Sequence, residues 1–83
     1  MSRSVVIVSA VRTAIGAFGG ALAEVPPTTL AAAVGREAIA RTGLQPAEVG
    51  QAVFGSVIQT EPRDAYLARV AAVEAGVPAA APA

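Results

Sequence analysis

The residues with chemical potential gather in one stretch, Arg12-Thr13-Ala14-Ile15-Gly16-Ala17-Phe18-Gly19-Gly20. A guanidinium beside three closely spaced glycines is the sort of set that can hold an anion, because glycine lets a ligand or another segment approach the backbone. The spacing argues against that use. GAFGG matches neither a dinucleotide fingerprint nor a P-loop, so Gly16, Gly19 and Gly20 read as a structural loop. Arg12 reads as the ion-pair or carbonyl partner that fixes it, with a substrate contact as the alternative. Elsewhere the chain has neither cysteine nor histidine. A disulfide framework, a thiolate metal site and a Cys-His or Ser-His couple are therefore all excluded within these residues.

The remaining charge is sparse and balanced. Six arginines stand against six acids, with no lysine, and no basic cluster offers a footprint for nucleic acid. A secretory leader is conceivable from Arg3 and Ala21-Leu22-Ala23. However, Ser9 and Arg12 interrupt its apolar core, and the glycine loop is a poor continuation of it. No run approaches the roughly 20 apolar residues of a membrane span. The expectation is a cytoplasmic protein without metal, nucleic acid or membrane partners.

Stepping outward from the glycine loop, Val5-Val6-Ile7-Val8 is an unbroken β-branched run. Such a run suits a strand buried on both faces of a parallel sheet. The first strand is expected over Ser4–Ala10, followed by a long loop over Val11–Val25. Pro26-Pro27 announces a helix from about Pro27 to Thr42, capped by a left-handed Gly43. Thr29, Ala33, Arg36 and Ala40 fall on its solvent side, and Glu37 and Arg41 form an i,i+4 pair. Gly35 inside the helix costs about 1 kcal/mol relative to alanine, which close packing on the sheet would offset.

Gln45–Val49 reads as a short helical turn and Gln51–Ile58 as a second strand. Gly55 within it marks a bend or a close backbone approach. A second helix is expected from about Arg63 to Ala75, with Tyr66, Leu67, Val70 and Val73 as its apolar stripe and Gly76 as its cap. Val77-Pro78 then opens an extended tail with no turn. Arg69 would support packing or an internal salt bridge. Tyr66 and Arg63 are either oligomer-interface residues or partly buried at the helix start.

The order strand, helix, strand, helix, extended tail predicts an α/β class with a parallel sheet and covering helices. There is no internal repeat and no boundary. Two strands cannot be covered on both sides by 83 residues. The chain is therefore expected to be an incomplete domain, residues 1–83 forming its N-terminal part.

Three motifs then coincide. They are VVIVSAVRTAIGAFGGALAEVPPTTL, LQPAEVGQAVFGSVIQ and ARVAAVEAGVP, and in that order they resemble the N-terminal part of the thiolases, the acetyl-CoA acyltransferases. Arg12-Thr13, Gly16 and Phe18-Gly19-Gly20 are the most specific piece. Gln59-Thr60-Glu61-Pro62-Arg63-Asp64 resembles the broader-range 3-ketoacyl-CoA thiolases of polyhydroxyalkanoate-producing bacteria.

The resemblance implies a five-layered α/β/α/β/α fold, a homodimer or homotetramer, and a CoA thioester as substrate with no further cofactor. It implies thiolysis of a 3-ketoacyl-CoA or the reverse Claisen condensation, carried by a cysteine nucleophile, a histidine and a second cysteine. The family's nucleophile motif follows the segment matching Ala79–Ala83. No catalytic, cofactor-binding or metal residue is thus carried over to any position here, and the 83 residues alone are expected to be inactive. Many thiolases have Gly-Gln-Asn-Pro where this chain has Asp64-Ala65-Tyr66-Leu67, a region the resemblance puts near the dimer interface and the partner subunit's catalytic loop. The change bears on chain-length preference.

Two other functions stay open on the residues alone. One is a non-catalytic thiolase-like binding or lipid-transfer protein. The other is an unrelated α/β nucleotide-binding domain, which requires phosphate contacts from the glycine loop.

Overall fold

The computed structural model of the chain describes residues 3–83. Two α-helices form its centre: α1, Pro27–Thr42, and α2, Leu67–Glu74. Single 3₁₀ turns stand at Pro46–Glu48 and Pro62–Tyr66, the second leading directly into α2.

α1 begins where the two prolines put it. Pro27 needs no amide partner at the first helical position, and the Pro26 carbonyl accepts from the amides of Thr29 and Leu30 at 3.0 and 3.2 Å. The helix stops at Gly43, whose φ of 75° is open to glycine at little cost. The Thr42 hydroxyl closes the end, donating to the Ile39 carbonyl at 2.7 Å and accepting from the Leu44 amide at 3.0 Å. Thr29, Ala33, Arg36 and Ala40 are all exposed, as the helical period requires. Arg41 meets Glu37 at 2.8 Å.

The inward face of α1 carries Thr28 and Ala32, both buried, then Gly35. Gly35 packs against α2 rather than against a sheet: a Cβ placed on it would lie 3.3 Å from the Ala75 Cβ and 4.0 Å from the Phe54 ring. The facing side of α2 is equally small, with Ala71, Ala72 and Ala75 buried. The expected stripe of Tyr66, Leu67, Val70 and Val73 is therefore not the buried one. Tyr66 and Val73 are exposed, and Leu67 and Val70 are half-buried. A helix opposite a glycine comes too close for branched or aromatic side chains, so alanines take the contact.

The C-terminus of α2 and the 3₁₀ turn that leads into α2 are each closed by hydrogen bonds. At its C-terminus the Gly76 amide reaches the Val73 carbonyl at 3.1 Å and the Val77 amide reaches the Ala72 carbonyl at 3.0 Å. Gly76 has φ 98°. This is a Schellman closure, and its usual apolar contact is present, since Val77 and Ala72 share one buried cluster with Ala81. Arg36 donates to the Glu74 carbonyl at 2.8 Å, binding α1 to the end of α2.

At the N-terminal side, one oxygen of Asp64 accepts from the Thr60 amide and hydroxyl, each at 2.6 Å, and from the Glu61 amide at 3.2 Å. A carboxylate reaching back to amides ahead of the turn is half of a capping box. The Thr60 hydroxyl first, and then the Thr60 amide, hold the Asp64 carboxyl below its ordinary value. The Glu61 amide and the Arg63 charge act in the same direction, and desolvation opposes them.

Two expectations are corrected here. Among the described residues no strand is present over Ser4–Ala10 or Gln51–Ile58. A strand exists only with a neighbour to take its amides and carbonyls, and these two runs do not pair with each other. Val5, Ile7 and Val57 are almost fully exposed as a result. The radius of gyration, 14.1 Å, exceeds the value of about 12 Å expected for a compact chain of this length. The parallel sheet is accordingly not formed by these residues.

The tail is also not free of turns. The Ala81 amide donates to the Pro78 carbonyl at 3.0 Å, and Ala81 is buried. The Ala52 amide donates to the Pro82 carbonyl at 2.9 Å, and Arg69 holds the Ala79 carbonyl at 3.1 Å.

Three outcomes follow from this packing. With helices formed and apolar runs open, thermal melting of the 83-residue chain followed by far-UV circular dichroism should show a broad loss of helical signal. A sharp, concentration-independent transition would contradict this account. Gly35→Leu should reduce helicity by overpacking worth about 1–3 kcal/mol, whereas Ala33→Leu on the exposed face of the same helix should not; equal effects would remove the contact argument.

The third outcome concerns acid. Asp64 has a folded pKa below its unfolded one, so its contribution is complete above the unfolded value of about 3.9 and is lost as pH falls through the folded value. Acid titration of helicity should therefore be flat from neutral pH to about 5. The drop below about 4 should be smaller in Asp64→Asn than in the parent. Identical acid limbs would show that the cap does not matter.

Candidate functional site

The glycine loop is the first candidate. Arg12 lies exposed and donates to the carbonyl of its neighbour Thr13 at 3.0 Å, while the Thr13 hydroxyl donates to the Ala14 carbonyl at 3.0 Å. Among the described residues Arg12 thus contacts a neighbouring carbonyl and forms no ion pair, and this contact does not reach the glycines it is expected to fix. Gly19 has φ 69°, which a side chain would disfavour. A Cβ on Gly16 would meet Leu22 at 3.2 Å. The Gly20, Ala23 and Val25 amides donate to the carbonyls of Ala17, Gly20 and Leu22 at 2.9, 3.1 and 3.1 Å. An anion cradle requires free amides converging on one point. Here three amides of the loop are spent on the loop itself, which makes it a scaffold of successive turns.

Between Ala10–Ala14 and the Ala33, Val34, Glu37 and Arg41 side of α1 lies an open groove of about 720 Å³. Arg41 is occupied by Glu37, which leaves Arg12 as the groove's cation without a carboxylate partner among the described residues. Of the groups that line the groove, the Glu37 carboxylate is taken by Arg41 and the Thr13 hydroxyl donates to the Ala14 carbonyl, so neither is turned to the other as base and nucleophile.

The second candidate is the surface around the start of α2, a groove of about 320 Å³ lined by Phe54, Ser56, Gln59, Tyr66 and Arg69 among others. Arg63 is tied to Glu74 at 2.8 Å on the surface, a contact worth at most about 1 kcal/mol. Tyr66 is exposed, so the partial-burial reading of that residue fails and its ring is free for a partner. Among the described residues Arg69 makes no salt bridge; it holds the tail through the Ala79 carbonyl. Gly55 has nothing within 4 Å of the position a Cβ would take, so no close backbone approach explains it among the described residues.

The structure does not bring Arg12 and the residues around Tyr66 into one site. The residue that sequence reasoning passed over is Asp64. It is buried, with one oxygen accepting three hydrogen bonds and the other without a partner. Its signal was present in Glu61-Pro62-Arg63-Asp64, where an acid falls three positions after the residue that precedes the turn. Among the described residues no cluster of three or more His, Cys, Asp or Glu offers a metal site, and no helix is long and apolar enough to cross a membrane. What this arrangement does is position backbone.

Comparison with known proteins agrees with the motif order. The family model described as "Thiolase, N-terminal domain" matches residues 5–83. The protein named "Beta-ketothiolase BktB" of Cupriavidus necator is 61% identical over 83 residues, which is all of this chain and 21% of that protein. An "Acetyl-CoA acetyltransferase" of the same organism is 47% identical over 79 residues, covering 95% of this chain and 20% of that protein. An "Acetyl-CoA acetyltransferase" of Pseudomonas aeruginosa is 43% identical over 81 residues, 98% of this chain and 20% of the relative. The chain therefore spans about a fifth of the length of these relatives. On the match over residues 5–83, the chain belongs to the thiolase family, and the α/β class expected from its element order is the class of that family.

Proposed function

We propose that this chain is the N-terminal portion of an acetyl-CoA acyltransferase that catalyses thiolysis of a 3-ketoacyl-CoA, or the reverse Claisen condensation of acyl-CoA units. The observation that carries the reading is the family match over residues 5–83, reinforced by 61% identity to a protein named as a beta-ketothiolase. In that reading Val5–Val8 and the Gln51–Ile58 run become strands of a parallel sheet once neighbours cover them. Their β-branched, uncharged make-up and present exposure support this. The complete enzyme takes a CoA thioester as substrate, works in the cytoplasm as a homodimer or homotetramer, and serves fatty acid or polyhydroxyalkanoate metabolism.

The role of this chain's residues is structural. Acyl transfer to a thiol needs an activated nucleophile and donors for the thioester oxygen, and without cysteine or histidine these residues supply no such nucleophile. α1, α2 and the glycine loop hold the backbone that the reacting groups rest on.

Two assays test the reading. The purified 83-residue chain should show no acetoacetyl-CoA thiolysis in an absorbance assay, whereas an acyltransferase assembled from this chain and the remainder of its gene product should turn over. Turnover by the short chain, with host thiolase excluded, would overturn the assignment of roles. An inactive complete protein without a Cys-Gly-Ser-Gly sequence downstream would point instead to a non-catalytic binding member of the family.

Arg12→Ala in the complete enzyme should leave the Michaelis constant for acyl-CoA nearly unchanged, because among the described residues the Arg12 hydrogen bond goes to the carbonyl next to it. A tenfold rise with unchanged stability, about 1.4 kcal/mol of lost binding, would make Arg12 a ligand contact.

A further inference from the structure

We draw no further inference here: the strongest candidate, the apolar groove between residues 7–9 and α1 that opens beside the exposed Val5–Val8 run, is an unpartnered face, and nothing in the structure shows what covers it.

Discussion

The approach of α1 to α2 at Gly35 and Ala75 is the contact on which the rest of the molecule depends. With 3.3 Å between the Ala75 Cβ and the place a Gly35 Cβ would occupy, the two helices touch through methyl groups and bare backbone. Such a contact stabilises little by area, since each buried methyl contributes only about 0.8 kcal/mol. Its value is geometric. Close backbones bring Arg36 within reach of the Glu74 carbonyl. They also place Ile39 against the cluster of Ala72, Val77 and Ala81. The tail is ordered because α2 ends where α1 holds it.

That dependence explains which elements were legible in the sequence. α1 was readable to the residue because its signals are local: two prolines at the start, a left-handed glycine at the end, and a 3.6-residue period between. The closure of α2 at Gly76 was readable for the same reason. The buried stripe of α2 was not. Hydrophobicity favours Tyr66 and Val73, but the facing glycine sets the spacing, and spacing selects Ala71, Ala72 and Ala75. A partner's size on another helix is not encoded in a helix's own period.

The strands failed for a different reason. Val5–Val8 has the composition of a buried strand, and composition states what a segment suits, not what it pairs with. A helix satisfies its amides within itself, whereas a strand must borrow partners from elsewhere. The amide of the second run that finds a carbonyl in the tail, Ala52 to Pro82, borrows it from a distant part of the chain. Of the candidate sites, the glycine loop was legible as architecture because GAFGG lacks a phosphate fingerprint, and the Gly20 amide at its end closes a turn on Ala17. Arg69 was legible only as a support; that its partner is a carbonyl of the tail depends on a turn at Pro78 that the Ala/Pro composition did not announce.

Asp64 connects these threads. A carboxylate on a residue only 3% exposed should be costly unless it is compensated. Here one oxygen collects three donors from the two residues ahead of the turn. Charge-assisted bonds of that kind are roughly twice as strong as neutral ones. The depressed pKa is the same fact seen from the proton's side: the donors that fix the turn also favour the ionised form. The charge therefore belongs to the fold, and it fixes the 3₁₀ turn that leads into the helix whose far end closes on α1. An acid beside Tyr66 and Arg69 invites a catalytic reading. Its geometry argues against one, because one oxygen is committed to three backbone and hydroxyl donors and the other is buried away from any reacting group.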